Sequence, residues 1–151
     1  MNAATLRPAT EADVGRLAEL VDAAYGHYVE RLGGPPRPMT DDYAEVIRSM
    51  DVIVAELNGQ IAGLIVLAVD EQGLLIDNVA VDPAHRGTGI GRALLERAEL
   101  EARDRGLHTI HLYTHGLMTE NLALYARIGY VEYERRPHGD AEIVYLRKRL
   151  G

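Results

Sequence analysis

The chain has 151 residues, of which 47% are hydrophobic, and this size and apolar content predict one domain, residues 1–151, with a core of its own. Its net charge of −7 excludes a protein that wraps nucleic acid, and its lack of cysteine excludes disulfides, thiolate metal sites and a cysteine nucleophile. No apolar run is long enough to span a membrane and the first residues lack a secretory signal, so a cytoplasmic protein without a membrane partner is expected.

The N-terminal part of the chain predicts a short strand followed by a helix. Residues 5–10, TLRPAT, form an extended segment, and Thr10 and Asp13 have the spacing of a capping box. Apolar residues then recur at helical intervals from Val14 to Tyr28. These signals together predict the first helix.

A segment rich in proline and glycine separates this helix from a second one. The sequence GGPPRPM at residues 33–39 cannot continue a helix, because proline removes a backbone donor and crowds the preceding turn. Thr40 is therefore expected to cap a second helix, whose apolar side begins at Tyr43 and ends at Met50.

Beyond this helix, the apolar pattern predicts several strands and two further helices. Asn58-Gly59 is typical of a hairpin turn, and the helices begin at Ile90 and Glu120 and are stopped by Gly106 and Gly129. The predicted strands cover residues 51–57, 60–69, 74–81, 108–114, 130–136 and 141–150. This order of elements predicts an α/β (α+β) fold with one mixed sheet and helices packed on it.

A glycine-rich loop, HRGTGIGRALL at residues 85–95, lies directly before one of these helices. Unpaired amides at a helix N-terminus favour negative charge, and glycine lets an anion approach them closely. The flanking arginines add positive charge. The loop therefore predicts a diphosphate-binding site formed by Arg86, Gly87, Thr88, Gly89, Ile90, Gly91 and Arg92.

Two familiar nucleotide-binding loops do not fit these residues. A Walker loop needs a lysine directly after its last glycine, and no lysine follows Gly91 before Lys148. A dinucleotide fingerprint needs G-x-G-x-x-G in the first βαβ unit, whereas the glycines here alternate and lie past the middle of the chain.

The loop RGTGIG, from Arg86 to Gly91, resembles the R/Q-x-x-G-x-G/A pyrophosphate loop of the Gcn5-related N-acetyltransferase (GNAT) family. The segment DNVAVDPAHRGTGIGRALL at residues 77–95 is similar to that family's strand-loop-helix, and MTENLALYARIGYVEYE at residues 118–134 is similar to its second cofactor segment. The resemblance covers nearly the whole chain in element order. It implies a GNAT-like acyl-CoA N-acyltransferase fold, with a central, mostly antiparallel sheet and helices on both faces.

The resemblance also implies a cosubstrate, acetyl-CoA, and the residues that bind it. The backbone of Val79 and Val81 is expected to pair with the pantetheine arm as an added strand. Arg86 and the backbone amides of residues 87–92 are expected to hold the diphosphate. Asn121 and Tyr125 lie four residues apart, hence on one helix face, and in the family such residues contact the cofactor arm and the thioester sulfur.

The resemblance further implies acetyl transfer to an amine, with Tyr125 as the general acid and Asp77 as the general base. Asp77 is an aspartate where the family more often has glutamate, so a bridging water or a histidine, His111 or His115, stays an alternative base. The histidines at 108, 111 and 115 do not have metal-ligand spacing, and no metal is expected.

The acceptor is expected to be a small molecule, an amine or an amino-acid-like compound, that reacts in a ternary complex. A protein N-terminus or lysine is the alternative acceptor, and a non-catalytic acyl-CoA-binding regulatory module is the alternative of another class. Paired subunits are common in the family, and residues 141–150 are expected to supply an edge strand for a homodimer. The candidate acceptor-site residues are Tyr25, Tyr28, Glu30, Arg31, Arg37, Asp41, Asp42 and Tyr43.

Overall fold

A computed structural model describes residues 4–151. Its strands are β1 (Thr5–Pro8), β2 (Asp51–Leu57), β3 (Gln60–Asp70), β4 (Gly73–Val81), β5 (Thr109–His115), β6 (Val131–His138) and β7 (Ala141–Arg149). Its α-helices are α1 (Val14–Tyr25), α2 (Tyr28–Leu32), α3 (Tyr43–Ser49), α4 (Ile90–Asp104) and α5 (Thr119–Arg127). The strands form one seven-stranded sheet in the order β1-β2-β3-β4-β5-β7-β6.

The sheet is antiparallel except where β4 pairs with β5, and it separates two apolar cores. One core packs α1 and α3 against one face, through residues such as Leu17 and Leu64. The other core packs α4 and α5 against the opposite face, through residues such as Leu94 and Tyr125. The predicted α/β fold, with helices on both faces of a mostly antiparallel sheet, is confirmed.

The predicted helix boundaries are shifted near the proline-rich segment. The first helix ends at Tyr25, and Tyr28 begins the separate short helix α2. Thr40 does not cap α3; it lies in a 3-10 turn, and the Asp42 carboxylate accepts hydrogen bonds from the first amides of α3. An aspartate two residues later provides the same capping chemistry that the sequence analysis assigned to the threonine.

The expectation that residues 141–150 supply an edge strand is wrong. β7 pairs with β5 on one side and with β6 on the other, so it lies inside the sheet. The strands at the two edges are β1 and β6. The chain forms the outer strand β6 first, and the hairpin then brings β7 back between β6 and β5. Local sequence patterns do not reveal this order.

β4 carries the feature that opens the sheet. The register between β3 and β4 shifts because Val66 pairs with Asn78 while Leu67 pairs with Ile76, which leaves Asp77 as the extra residue of a β-bulge. Beyond this bulge, β4 no longer pairs with β5: within the described chain, the parallel pairing covers only residues 74–75 of β4. A gap therefore separates the C-terminal halves of the two central strands.

None of the helices in residues 4–151 combines the length and the apolar character that crossing a membrane requires.

Candidate active site

The glycine-rich loop ends at the N-terminus of α4 and leaves a row of amides without partners. Gly87 and Gly89 have φ angles of 77° and 86°, which side chains rarely adopt, so the loop conformation itself requires glycine at these positions. Within residues 4–151, none of the backbone amides from Gly87 to Arg92 donates a hydrogen bond to the chain. The loop thus presents free donors at the positive end of a helix dipole.

Gly91 differs from the other glycines of the loop. Its backbone is helical, and a Cβ added there would meet only Val81 Cγ2, at an ordinary distance of 3.5 Å. The fold therefore does not require glycine at this position. Gly91 lines a cavity beside the loop and occupies the motif position that accepts glycine or alanine. The free amides around it fit a diphosphate.

The side chains of the loop contribute unequally. Arg86 lines the cavity, and its guanidinium donates to the carbonyl of Ala24 at the end of α1, 3.3 Å away. Arg92 is exposed and lies 3.7 Å from Glu96. The Thr88 hydroxyl donates to the His85 carbonyl inside the loop, so Thr88 offers a ligand its amide alone.

The backbone of β4 faces the gap at the two predicted positions. Asp82 N donates to Ala62 O of β3, 2.8 Å away, and the alternation of an antiparallel ladder then directs Val79 and Val81 away from β3. The Tyr25 hydroxyl shares its single proton between Asn78 Oδ1, 2.7 Å away, and the Val79 carbonyl, 3.0 Å away, so this carbonyl is already engaged. The groups that remain for an added strand are the Val79 amide and the Val81 amide and carbonyl.

Two cavities meet at this gap. The smaller, of about 450 Å³, is lined by the glycine-rich loop and by Val79 and Val81. The larger, of about 1020 Å³, is lined by Asp77, by the proline-rich segment and by the β6–β7 turn. Asn121 and Tyr125 line both cavities, so the residues predicted to flank the reacting thioester lie where the cavities join.

Tyr125 is a buried residue whose hydroxyl has no hydrogen-bond partner within residues 4–151 but retains access to the cavities. Burial raises its pKa, and the nearby Tyr28 adds to the shift. The phenol therefore stays protonated at any physiological pH. It offers a hydrogen-bond donor to whatever enters the junction of the two cavities.

Asp77 lies on the wall of the larger cavity, with its side chain only 9% exposed. Burial raises the pKa of its carboxyl, Arg37 opposes this shift, and Asp41 adds to it. Arg37 reaches Asp77 twice: its guanidinium lies 3.3 Å from Asp77 Oδ2 and donates to the Asp77 carbonyl at 2.8 Å. The structure thus places the candidate base in the cavity but already paired with a cation.

A family profile described as the acetyltransferase (GNAT) domain matches residues 48–132, which is more than half of the chain. The chain belongs to the GNAT family. The crystal structure of the PaiA N-acetyltransferase from Thermoplasma acidophilum in complex with coenzyme A has the same fold, with a TM-score of 0.82 and 15% identity over 98% of this chain and 99% of that one.

Two curated relatives match part of this GNAT chain. An IAA acetyltransferase of Azospirillum brasilense is 37% identical over 89 residues, which cover 58% of this chain and 57% of the relative. The [ribosomal protein bS18]-alanine N-acetyltransferase of Escherichia coli is 35% identical over 75 residues, 50% of this chain and 51% of the relative. The match spans about half the length of each relative.

The three histidines that the sequence analysis considered in this GNAT chain have different surroundings. His108 is exposed, and His111 is buried away from both cavities with its Nε2 2.8 Å from Asp70. His115 lines the larger cavity, but its Nδ1 accepts from the Leu117 amide at 3.1 Å. That bond leaves Nε2 as the protonated nitrogen of a neutral ring, so His115 is a donor rather than a base.

The sequence analysis missed a chain of hydrogen bonds beside Asp77. Tyr25 donates to Asn78 Oδ1 at 2.7 Å, Asn78 Nδ2 donates to the Tyr43 hydroxyl at 3.3 Å, and Tyr43 donates to the Pro38 carbonyl at 2.7 Å. This chain ties α1, β4 and α3 to the proline-rich segment. No local pattern signals it, because its partners come from distant parts of the sequence.

Proposed function

We propose that this protein is an acetyl-CoA-dependent N-acetyltransferase, which moves the acetyl group directly to the primary amine of a small acceptor in a ternary complex. The observation that carries the proposal is the meeting of two cavities at Asn121 and Tyr125. One cavity offers an anion cradle with free amides, and the other offers a carboxylate. Two cavities that join in this way let two substrates react with each other directly, without a covalent enzyme intermediate.

Different residues of the chain bind different parts of the cosubstrate. The amides from Gly87 to Arg92, together with the Arg86 side chain, bind the diphosphate. The free backbone groups of Val79 and Val81 pair with the amide-containing arm as an added strand, as in β-augmentation. Acetyl-CoA, when bound, supplies the acetyl group as a thioester.

Asp77 acts on the acceptor. An alkylammonium with a pKa of about 10.4 must lose a proton at pH 7, which costs about 4 to 5 kcal/mol, whereas an α-amine with a pKa of about 8 costs only about 1 kcal/mol. The raised pKa of Asp77 makes it a better base than an exposed aspartate. It takes the proton directly or through one water, and the free amine then attacks the acetyl carbon.

Tyr125 acts on the leaving group. The C–S bond breaks as the C–N bond forms, and the departing sulfur takes up the second proton, which the newly bonded nitrogen loses to become an amide. Negative charge develops on sulfur before that proton arrives. A phenol with a raised pKa is a poor proton donor to a thiolate of pKa about 8.5, so its main contribution is a hydrogen bond to the developing charge. Asn121, one helical turn away, orients the cosubstrate beside it.

A protein acceptor is the second candidate. The relative of E. coli is named for acetylation of an alanine of ribosomal protein bS18, which favours a protein N-terminus as an alternative to a small amine. The exposed residues His138, Gly139 and Asp140 of the β6–β7 turn line the larger cavity. A peptide end could therefore reach Asp77 from that side.

Calorimetry tests the cosubstrate assignment first. Acetyl-CoA and desulfo-CoA are each expected to bind with micromolar affinity, NADH is expected not to bind, and Arg86→Glu is expected to abolish binding of both CoA compounds. Turnover with an amine panel then separates an enzyme from a regulatory module, since a protein that only binds releases no thiol above the hydrolysis background. Failure of both CoA compounds to bind would contradict the proposed function.

A further inference from the structure

The candidate base belongs to a group of three charges, of which Arg37 and Asp77 line the larger cavity and Asp41 lies behind Arg37 as its second partner. The Arg37 guanidinium lies between two carboxylates: it pairs with Asp41, four residues along the chain, and with Asp77 on β4. The side chains of Asp41 and Asp77 are 21% and 9% exposed, so both carboxylates are largely shielded from water. One positive charge between two negative charges leaves the group with a net charge of −1.

The rest of the cavity does not neutralise this excess. Its other arginine, Arg31, is already paired with Glu120, which lies outside the larger cavity. The additional carboxylates of the lining, Glu30 and Asp140, are exposed and have no ion-pair partner within residues 4–151. Burial lowers the pKa of His115, so this histidine adds no positive charge at pH 7.

We propose that the acceptor is a cationic amine without a carboxylate next to its amino group, and that Arg37 is an internal counter-ion that its ammonium displaces from Asp77. This inference rests on the proposed function and narrows its acceptor class. An arriving monocation brings the group of Arg37, Asp41 and Asp77 to a net charge of zero. Arg37 keeps Asp41 as its partner after the displacement, so no charge is left unpaired.

A free amino acid binds less well at this position. Its carboxylate would bring a third negative group to a single guanidinium, and the net charge of the assembly would stay at −1 in a shielded site. A compound whose carboxylate is replaced by an amide avoids this repulsion. The unpartnered Tyr125 hydroxyl lies at the end of the same cavity, where such an amine reacts.

Matched acceptor pairs test the inference. Alanine is compared with alaninamide, and tyrosine with tyrosinamide, by kcat/KM for acetyl transfer at fixed salt. The wild-type protein is expected to prefer the amides by about tenfold or more. A short peptide with a free N-terminus, an N-blocked peptide that contains lysine, and a small diamine then distinguish the sources of such an amine.

Two variants separate electrostatics from the intrinsic reactivity of each amine. That reactivity is the same for every form of the enzyme, so it cancels when the amide-to-acid ratio of kcat/KM in a variant is divided by the ratio in the wild type. Asp41→Asn is expected to reduce the amide-to-acid ratio at least about fivefold, because Arg37 becomes free to bind a carboxylate. Arg37→Gln is expected to raise the ratio. Glu45→Gln removes one negative charge from the exposed side of α3 and is expected to leave the ratio unchanged.

The outcomes of these experiments distinguish failure of the inference from failure of the proposed function. Free amino acids acetylated as well as their amides, or a ratio that does not respond to Asp41→Asn in a folded variant, would overturn the inference and leave the proposed function standing. Failure to acetylate any amine although acetyl-CoA binds would overturn both. Circular dichroism confirms that each variant is folded before its ratio is interpreted.

Discussion

Tyr125 and Tyr130 are neighbouring tyrosines whose hydroxyls have opposite surroundings. Their rings contact each other edge to face, with centroids 5.8 Å apart. The Tyr125 hydroxyl reaches the junction of the two cavities, whereas the Tyr130 hydroxyl is fully enclosed and has no hydrogen-bond partner within residues 4–151. Removing each hydroxyl should therefore change a different property of the protein.

Tyr125→Phe is expected to lower kcat by roughly one to three orders of magnitude, because the developing negative charge loses a hydrogen-bond donor. The ring and its packing remain, so the Kd for acetyl-CoA should change little. Steady-state kinetics and calorimetry on the same preparation measure the two effects. An undiminished rate in this variant would remove Tyr125 from the mechanism.

Tyr130→Phe is expected to stabilise the fold and leave catalysis unchanged. A buried hydroxyl without a partner is costly, so its removal should raise the free energy of unfolding by about 1 kcal/mol and Tm by about 3 °C. Thermal unfolding followed by circular dichroism measures the shift. A lower Tm would show that the hydroxyl has a partner, such as a buried water.

At the scale of single residues, sequence reasoning predicts a site where a ligand would impose a motif. The loop from Arg86 to Arg92 and the pair Asn121 and Tyr125 can be predicted because a diphosphate and a thioester would need particular residues at fixed spacing. The pairing of Arg37 with Asp77 joins residues 40 positions apart. Only the folded sheet brings them together, so the sequence named both residues without showing that they form an ion pair.

At the scale of elements, the first turn of α4 contains a glycine that the fold does not require. Gly91 and Gly15 are each the second residue of an α-helix, α4 and α1. A Cβ at Gly15 would meet nothing within 4 Å, and one at Gly91 would meet only Val81 at an ordinary distance. Both positions therefore accept alanine without strain.

Gly91→Ala and Gly15→Ala are each expected to raise the free energy of unfolding by about 0.5 kcal/mol, because alanine favours the helix more than glycine. Both variants are expected to leave the Kd for acetyl-CoA nearly unchanged, because the last position of the family's loop is glycine or alanine and the amide of residue 91 stays free. Denaturant titration and calorimetry measure the two quantities. A loss of affinity in Gly91→Ala alone would mean that the ligand needs the space beside this amide.

The elements themselves follow closely from periodicity, and the exceptions have physical causes. The alternating and helical patterns place all strands and the long helices, because burial on one face dictates the period. The bulge at Asp77 is invisible in that pattern, since it depends on how β4 meets both neighbours. The inner position of β7 is equally hidden, because strand order depends on pairings across the whole sheet.

At the scale of the whole molecule, the outer strand β6 is poorly suited to pair with another copy. It contains Pro137, which cannot donate a ladder hydrogen bond, and charged residues at 132 and 134–136. A homodimer remains an expectation from the family resemblance, and it would need a surface other than this edge. Sedimentation at several protein concentrations tests the homodimer, and a strictly monomeric profile at high concentration would contradict it.

The two apolar cores share one sheet, and this arrangement bears on how the molecule unfolds. β3 and β4 contribute side chains to both cores, Leu64 and Ala80 to one and Leu67 and Ile76 to the other. Loss of either core therefore exposes one face of the same two strands. We propose on this ground that residues 1–151 form one domain that unfolds in a single cooperative step.

Thermal unfolding is expected to give coincident transitions by far-ultraviolet circular dichroism and by tyrosine fluorescence. The fluorescence reports on both cores, because each core contains buried tyrosines and the chain has no tryptophan. Acetyl-CoA at about one hundred times its Kd should shift both transitions upward together, since binding to the folded state stabilises it by about 2.7 kcal/mol. Two separate transitions, or a shift of only one, would contradict the single domain. They would show instead that the core on the α1 side opens independently of the core that contains α4 and the glycine-rich loop.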